Sequence, residues 1–185
     1  RATSKTFLSI LALFLQCVFM PGTKRFIVST FKVQAAKVAK EKILEIYQHW
    51  PILRREIVGG DISEAPGNFG KDYVTLKFRN GSQLDVVGGD GTRGLRRNGG
   101  LLDELRDADE IEINEIVLPL MNVARRLPDN TVNEKEVNAQ QIVMTSAGVK
   151  SHFSYDKLID MFENSIIMPN EAFVIGLDYR IPIMH

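Results

Sequence analysis

The sequence has little cysteine, no net charge and no paired metal-ligand motif. Cys17 is the only cysteine among 185 residues, so a disulfide within the chain is excluded, which is typical of a reducing compartment. The 23 basic and 23 acidic residues balance, so no overall basic field favours nucleic acid. The three histidines are scattered, which argues against zinc. No repeat, low-complexity segment or G-x-S-x-G nucleophile motif is present.

The apolar run Phe7–Met20 is too short to span a bilayer, which takes about 20 residues. Arg1 and Lys5 precede it, and this order is similar to the start of a secretory signal peptide. Pro21 and Gly22 follow the run instead of a small-residue cleavage site. We therefore interpret the run as a helix buried in a globular domain.

The rest of the hydrophobic pattern alternates between strands and helices. It predicts strands at 24–30, 73–78, 83–87, 99–104, 140–144 and 172–177, helices at 33–50, 114–126 and 155–164, and a loop at 59–70. The Asn-Gly pair at 80–81 predicts a β-hairpin near residues 73–87. We expect one α/β domain with a mainly parallel central sheet flanked by helices, and an active site at the carboxyl ends of its strands.

The most informative stretch, Gly99–Glu104, is an apolar strand that ends in two adjacent carboxylates. Such a pair is costly at the end of a buried strand unless its charge is used. In nucleotide hydrolases the first carboxylate, here Asp103, holds Mg²⁺, and the second, here Glu104, polarises the attacking water. The alternative is a strand that runs into a solvated turn. Asp107 and Asp109 are the second choice for the base.

Residues 1–6, R-A-T-S-K-T, precede the apolar run, and a Lys-Thr pair that leads into a helix is typical of a phosphate-binding loop. We expect Lys5 to bind the β- and γ-phosphates and Thr6 to ligate Mg²⁺, with Thr3 and Ser4 in the loop around the nucleotide. The alternative is a threonine N-cap and a solvated lysine. Because the usual upstream glycine would precede residue 1 and no initiator methionine is present, we expect the chain to be part of a longer protein.

Four motifs together resemble the ATPase domain of the large terminase subunits of tailed bacteriophages. The family's variant Walker A is similar to residues 1–6, its Walker B with catalytic acid to L-L-D-E at 101–104, the basic loop before Walker B to G-T-R-G-L-R-R at 91–97, and its coupling motif to T-S-A-G at 145–148. The chain departs from the family at Ser4, where glycine is usual, and at 99–100, where two glycines replace bulky residues. The resemblance implies a P-loop NTPase fold of the RecA/ASCE type over residues 1–185, with ATP and Mg²⁺ as cofactors.

The resemblance also implies roles for further residues. Arg1 would sense the γ-phosphate in cis, and Thr145 and Ser146 would detect it and pass on its loss. Arg93 or Arg96, with Arg97 beside them, would reach a neighbouring subunit's ATP as an arginine finger or would contact DNA. Hydroxyls that cap the following helix are the alternative for residues 145–146, and solubility is the alternative for the arginines.

The implied protein is a motor that couples ATP hydrolysis to movement of double-stranded DNA into a procapsid. Its implied partners are the portal protein, the small terminase subunit and further copies of the chain in a ring, and its implied location is the cytoplasm of the infected bacterial host, without a membrane. Nuclease activity would belong to a C-terminal domain outside these residues. Two alternatives stay open: another P-loop translocase, such as a superfamily-2-like helicase core, and a nucleotide-binding module without turnover, which Ser4 would favour.

Overall fold

The computed structural model describes residues 5–29, 32–88, 96–127, 129–136, 138–146 and 149–176. Four residues with predicted roles lie outside these ranges: Arg1, Thr3, Ser4 and Arg93. Their roles therefore stay predictions.

Six strands form one mixed sheet in the order β2-β3-β4-β1-β5-β6. The strands are β1 (Lys24–Ser29), β2 (Asn68–Phe69), β3 (Val74–Lys77), β4 (Gln83–Gly88), β5 (Gly99–Asp103) and β6 (Gln140–Val143). Strands β4, β1, β5 and β6 run parallel, whereas β2 and β3 extend one edge in antiparallel pairing. The predicted α/β fold with a mainly parallel sheet is therefore confirmed.

Helices cover both faces of this sheet. They are α1 (Lys5–Phe19), α2 (Lys32–His49), α3 (Pro51–Arg54), α4 (Leu118–Leu120) and α5 (Phe153–Ile167), with a 3-10 helix at Leu105–Asp107 and a π-helix at Glu112–Val117. Successive strand residues alternate between the faces. Ile27 and Leu101 pack in one core with α1 and α2, whereas Phe26 and Leu102 pack in a second core with the π-helix.

The apolar run at 7–20 lies in α1, as predicted for a buried helix. Its residues Ile10, Leu13, Phe14 and Cys17 are at most 1% exposed and belong to the larger core. Within the part of the chain that the structure describes, no helix is both long and apolar enough to cross a membrane.

The predicted hairpin is confirmed by the antiparallel pairing of β3 with β4. Its turn contains Gly81 at φ +81°, in the left-handed region that glycine adopts without a steric penalty. The side-chain Nδ2 of Asn80 donates to the backbone oxygens of Cys17 and Val18, at 2.8 and 2.9 Å. The turn therefore also satisfies carbonyls at the end of α1.

One predicted helix ends earlier than expected, and one predicted strand is wrong. The chain expected to be helical over 114–126 is helical only as far as Leu120, in the π-helix and α4, and residues 122–127 are irregular. There the backbone bonds to distant segments instead of to itself, with Val123 N donating to Arg97 O and Arg125 N to Asn138 O. The strand expected at 172–177 does not form over 172–176, where Phe173 and Ile175 are 76% and 70% exposed and pack against no sheet.

Candidate functional site

Lys5, Glu104 and Ser146 meet at the carboxyl edge of the parallel strands. Lys5 Nζ lies 3.4 Å from Glu104 Oε1 and donates to Ser146 Oγ at 3.2 Å. Ser146 Oγ in turn donates to Glu104 Oε2 at 3.2 Å. These residues begin α1, follow β5 and follow β6, so a separation of 141 positions along the chain becomes a direct contact.

The backbone around Glu104 is held in an unusual conformation. Glu104 has φ 54° and ψ 53°, a left-handed geometry that costs a non-glycine residue about 1 kcal/mol. Two bonds to the segment after β6 hold the turn in place: Leu105 N donates to Met144 O, and Arg106 N donates to Thr145 Oγ1, both at 3.2 Å. The turn thus directs the Glu104 carboxylate toward Lys5 and Ser146.

Asp103, the last residue of β5, has a partly buried carboxylate. Its Oδ1 atom is buried and has no hydrogen-bond partner among the described residues. Burial raises the pKa of Asp103 above its ordinary value, and the neighbouring Glu104 raises it further, against the opposing charge of Lys5. A cation beside Oδ1 would compensate the charge that the protein leaves unpaired.

The residues fit Mg²⁺ bound together with a nucleotide. Oxygen ligands suit Mg²⁺, and the available ones are the unpartnered Oδ1 atom of Asp103 and the hydroxyl of Thr6, next to Lys5 in the first turn of α1. The described residues contain no group of three or more His, Cys, Asp or Glu side chains able to hold a metal. An ion here would therefore need ligands from elsewhere, such as phosphate oxygens, and the amino end of α1 favours phosphate.

The structure describes two arginines of the basic loop, Arg96 and Arg97. They lie at the amino edge of the sheet, where the parallel strands begin, opposite to the carboxyl edge with Lys5 and Glu104. Arg97 forms an ion pair with Asp85, with 2.7 Å between Nη2 and Oδ2 and side chains only 11% and 5% exposed. The alternative that Arg97 is a solvent-exposed residue that serves solubility is therefore wrong. Arg96 is exposed and adjacent to it. The five residues of β5 separate this edge from Glu104 by about 16 Å, so Arg96 does not reach its own chain's Glu104.

The remaining acidic candidates serve local structure. Asp109 Oδ1 accepts from Glu112 N at 2.9 Å, at the start of the π-helix. Asp107 lies 3.6 Å from Arg106 Nε. Neither contact involves Lys5 or Ser146.

Residues 145 and 146 do not cap the following helix. The N-cap of α5 is His152, whose Nδ1 accepts from Ser154 N at 3.2 Å. Ser146 instead bonds within the Lys5–Glu104 group, and Thr145 Oγ1 accepts from Arg106 N.

Three charged residues that the hydrophobic pattern did not single out are almost completely buried. Asp85, Arg25 and Arg125 are 3%, 1% and 2% exposed. A signal exists for Asp85, because it interrupts an apolar strand in which a charge is unusual, whereas Arg25 only follows Lys24 at the start of its strand. Arg125 lies in an irregular segment, and its sequence context carries no comparable signal.

Comparison with known proteins gives matches among solved structures alone. No protein-family model matches the chain, and a search of curated proteins finds no match. The large terminase from a thermophilic bacteriophage superposes with a TM-score of 0.56 at 10% identity, over 88% of this chain and 35% of that one. The Thermus phage P74-26 large terminase ATPase domain gives 0.48 at 11% identity, over 92% of this chain and 81% of that one.

The chain thus spans about a third of the thermophilic bacteriophage's large terminase, 35% of its length. At 10% identity the likeness concerns the fold, and at that level it confirms the resemblance stated from the motifs. The chain has a mainly parallel α/β sheet flanked by helices and shares this fold with a bacteriophage large terminase.

Proposed function

We propose that this chain is the ATP-hydrolysing motor domain of a phage DNA-packaging terminase. The observation that carries the proposal is the contact of Lys5 with both Glu104 and Ser146 at the carboxyl edge of the parallel strands. Ligands of open α/β sheets bind at this edge. The fold shared with the large terminase of the thermophilic bacteriophage adds support.

In this proposal Lys5 changes partners when nucleotide binds. Lys5 Nζ pairs with Glu104 at 3.4 Å, and both side chains are 34% exposed, so the pair is weak and open to exchange. The β- and γ-phosphates of ATP carry more charge than one carboxylate and would attract Lys5 toward themselves. Glu104 would then be available to orient a water and accept its proton.

Asp103 and Thr6 are the proposed protein ligands of Mg²⁺. Bound there, the ion would neutralise phosphate charge, which is most of what phosphoryl transfer requires from a protein. The unpartnered Oδ1 of Asp103 supports this role. We further propose that Thr3 and Ser4 contact the phosphates and that Arg1 senses the γ-phosphate in cis.

Ser146 and Thr145 are proposed to link nucleotide state to the rest of the domain. Ser146 Oγ bonds to both Lys5 and Glu104, so a change of partner by Lys5 alters the surroundings of Ser146 directly. Thr145 Oγ1 accepts from Arg106 N, which connects the same segment to the 3-10 helix.

An arginine finger, if supplied by Arg96, would act in trans, because Arg96 lies at the other edge of its own sheet. Arg93 is the second proposed finger. Such a residue stabilises charge on the γ-phosphate and is worth about 10³-fold or more in rate. A ring of identical chains on the portal protein, acting on double-stranded DNA with the small terminase subunit in the host cytoplasm, is the proposed assembly.

The experiment that tests the site compares Mg·ATP binding to Lys5→Ala and Lys42→Ala. Lys42 is a matched control because it is 35% exposed, close to the 34% of Lys5, and pairs with Glu45 on the surface of α2. We expect Lys5→Ala to lose at least about tenfold in affinity, since a charge-assisted phosphate contact disappears. Lys42→Ala should bind normally. Equal affinity in the two variants would reject this nucleotide site.

A further inference from the structure

A cavity of about 410 Å³, lined by both polar and apolar residues, lies far from Lys5 and Glu104. Gln16 and Phe19, near the end of α1, line one side of it, and Arg25 at the start of β1 and Arg125 line another. The 15 residues of α1 span about 22 Å, so this cavity and the Lys5 group lie at opposite ends of that helix.

The two arginines bring buried positive charge to this cavity. Arg25 is 1% exposed and Arg125 is 2% exposed. Buried guanidinium groups are destabilising unless opposite charge and hydrogen bonds compensate them. Arg125 Nη1 donates to Pro21 O at 3.0 Å, and Arg25 Nη1 donates to Asn98 O.

The negative charge around these arginines does not balance them. Glu136, which forms an ion pair with Arg125, is the carboxylate that lines the cavity, and its side chain is 44% exposed. Burial raises the pKa of the Cys17 thiol to about 12, so Cys17 is neutral beside Arg25. Asp85 is held by Arg97. The carbonyl end of α1 adds about half a negative charge.

Three buried polar atoms of the cavity residues have neither a hydrogen-bond partner nor an ion pair within the described part of the chain. Two are donors, Arg25 Nε and Arg125 Nε, and one is an acceptor, Gln16 Oε1. Each such atom costs about 1–3 kcal/mol if nothing satisfies it. The donors suit the oxygens of an anion, and the acceptor suits an anion that also carries a proton.

We propose that this cavity binds a phosphate group, either free orthophosphate or the phosphate monoester at the 5′ end of a nucleic-acid strand. A phosphate monoester offers several acceptor oxygens and, near its second pKa of about 6, a hydroxyl that donates. Guanidinium groups are well matched to phosphate in geometry and charge. The excess positive charge and the three unpartnered atoms are both satisfied by this one ligand class.

The test measures orthophosphate binding by calorimetry at constant ionic strength, in the Lys5→Ala background so that the proposed nucleotide site does not contribute. Glu136→Gln removes the competing carboxylate, whose side chain is 44% exposed, and keeps the length and shape of the side chain. We expect this change to tighten phosphate binding about tenfold, because a nearby like charge disappears. Glu134→Gln, an exposed acid that does not line the cavity, is the matched control and should leave the affinity unchanged.

Arg125→Gln should weaken phosphate binding at least about tenfold, since a charge-assisted contact is lost. If Arg125→Gln does not fold, the comparison of Glu136→Gln with Glu134→Gln still tests the proposal. Absence of orthophosphate binding in the Lys5→Ala protein, or equal affinity in Glu136→Gln and Glu134→Gln, would overturn the proposal.

The source of the phosphate is resolved with two short oligonucleotides of the same sequence, one with a 5′-phosphate and one with a 5′-hydroxyl. Tighter binding of the phosphorylated strand than of orthophosphate assigns the site to a strand end. Equal or weaker binding assigns it to free phosphate. Equal binding of the two oligonucleotides to the cavity, sensitive to Glu136→Gln, would show recognition of the diester backbone and contradict the monoester proposal.

Discussion

The two edges of the sheet hold their charged residues in opposite ways. At the carboxyl edge, Lys5 and Glu104 are each 34% exposed and 3.4 Å apart. At the amino edge, Arg97 and Asp85 are 11% and 5% exposed and 2.7 Å apart. An exposed pair contributes little to stability and exchanges partners readily, whereas breaking a buried pair leaves an uncompensated charge. The difference in exposure indicates that the pair at the carboxyl edge is available to a ligand, whereas the pair at the amino edge stabilises the fold.

Asp85→Asn should give the largest stability loss. The substitution keeps the shape of the side chain but leaves Arg97 buried without its counter-charge, which costs about 3–5 kcal/mol in the free energy of unfolding. Urea denaturation measures the loss. Glu104→Gln, which breaks the exposed pair at the other edge, should cost less than about 1 kcal/mol in the same assay. Similar losses in the two variants would remove the contrast between the edges.

Glu104→Gln should instead abolish turnover. It preserves shape and removes the charge that orients the water, so we expect the ATPase rate to fall at least about 100-fold while Mg·ATP still binds. The matched control is Glu45→Gln, whose side chain is 37% exposed and pairs with Lys42 on α2. A Glu104→Gln rate within threefold of the parent rate would place the base elsewhere.

Gly100→Ala tests the strand that joins the two edges. A Cβ at Gly100 would overlap the backbone oxygen of Phe26 on β1, and β6 lies on the other side of β5. We expect a loss of about 1–3 kcal/mol in unfolding free energy, the usual cost of overpacking. Gly176→Ala, where no atom lies within 4 Å of the added carbon, should be nearly neutral. A neutral Gly100→Ala would mean that β1 and β5 can separate without cost.

Asp103→Asn should give the smallest effect on stability, and the size of this effect depends on pH. The pKa of Asp103 in the folded chain is raised, first by burial and then by Glu104, above its ordinary value of 3.8. Stability from the protonated carboxyl is thus present below pH 3.8 and is lost as pH rises through the folded-state pKa. At pH 7 the asparagine variant should melt a few degrees higher than the parent, and below pH 3.8 the two should converge.

Saturating Mg·ATP should reverse that difference in melting temperature. If Asp103 holds the ion, the nucleotide stabilises the parent more than it stabilises Asp103→Asn, because ligand binding to the folded state adds directly to its stability. Equal nucleotide-induced shifts in the two proteins would argue against Asp103 as a ligand.

Local sequence patterns predicted much of the fold. The apolar run at 7–20 predicted α1, and the period of the apolar residues predicted α2. The Asn80-Gly81 pair predicted the hairpin because a tight turn needs the conformations that these residues adopt. The prediction of a helix at 114–126 failed where backbone groups of Val123 and Arg125 find partners outside their own segment. The expected strand at 172–177 failed over 172–176 because a strand needs a neighbour to pair with.

For the candidate site too, the sequence predicted some features and left others to the tertiary structure. The sequence alone indicated an acidic pair at the end of β5, a Lys-Thr pair before an apolar helix, and their meeting at one edge of a parallel sheet, since parallel strands end together. It did not indicate that Arg97 is buried. Arg97 and Arg96 are neighbours in one basic loop, yet Arg97 is enclosed with Asp85 while Arg96 is exposed. Burial depends on segments that fold over a residue from far along the chain, and no local pattern encodes them.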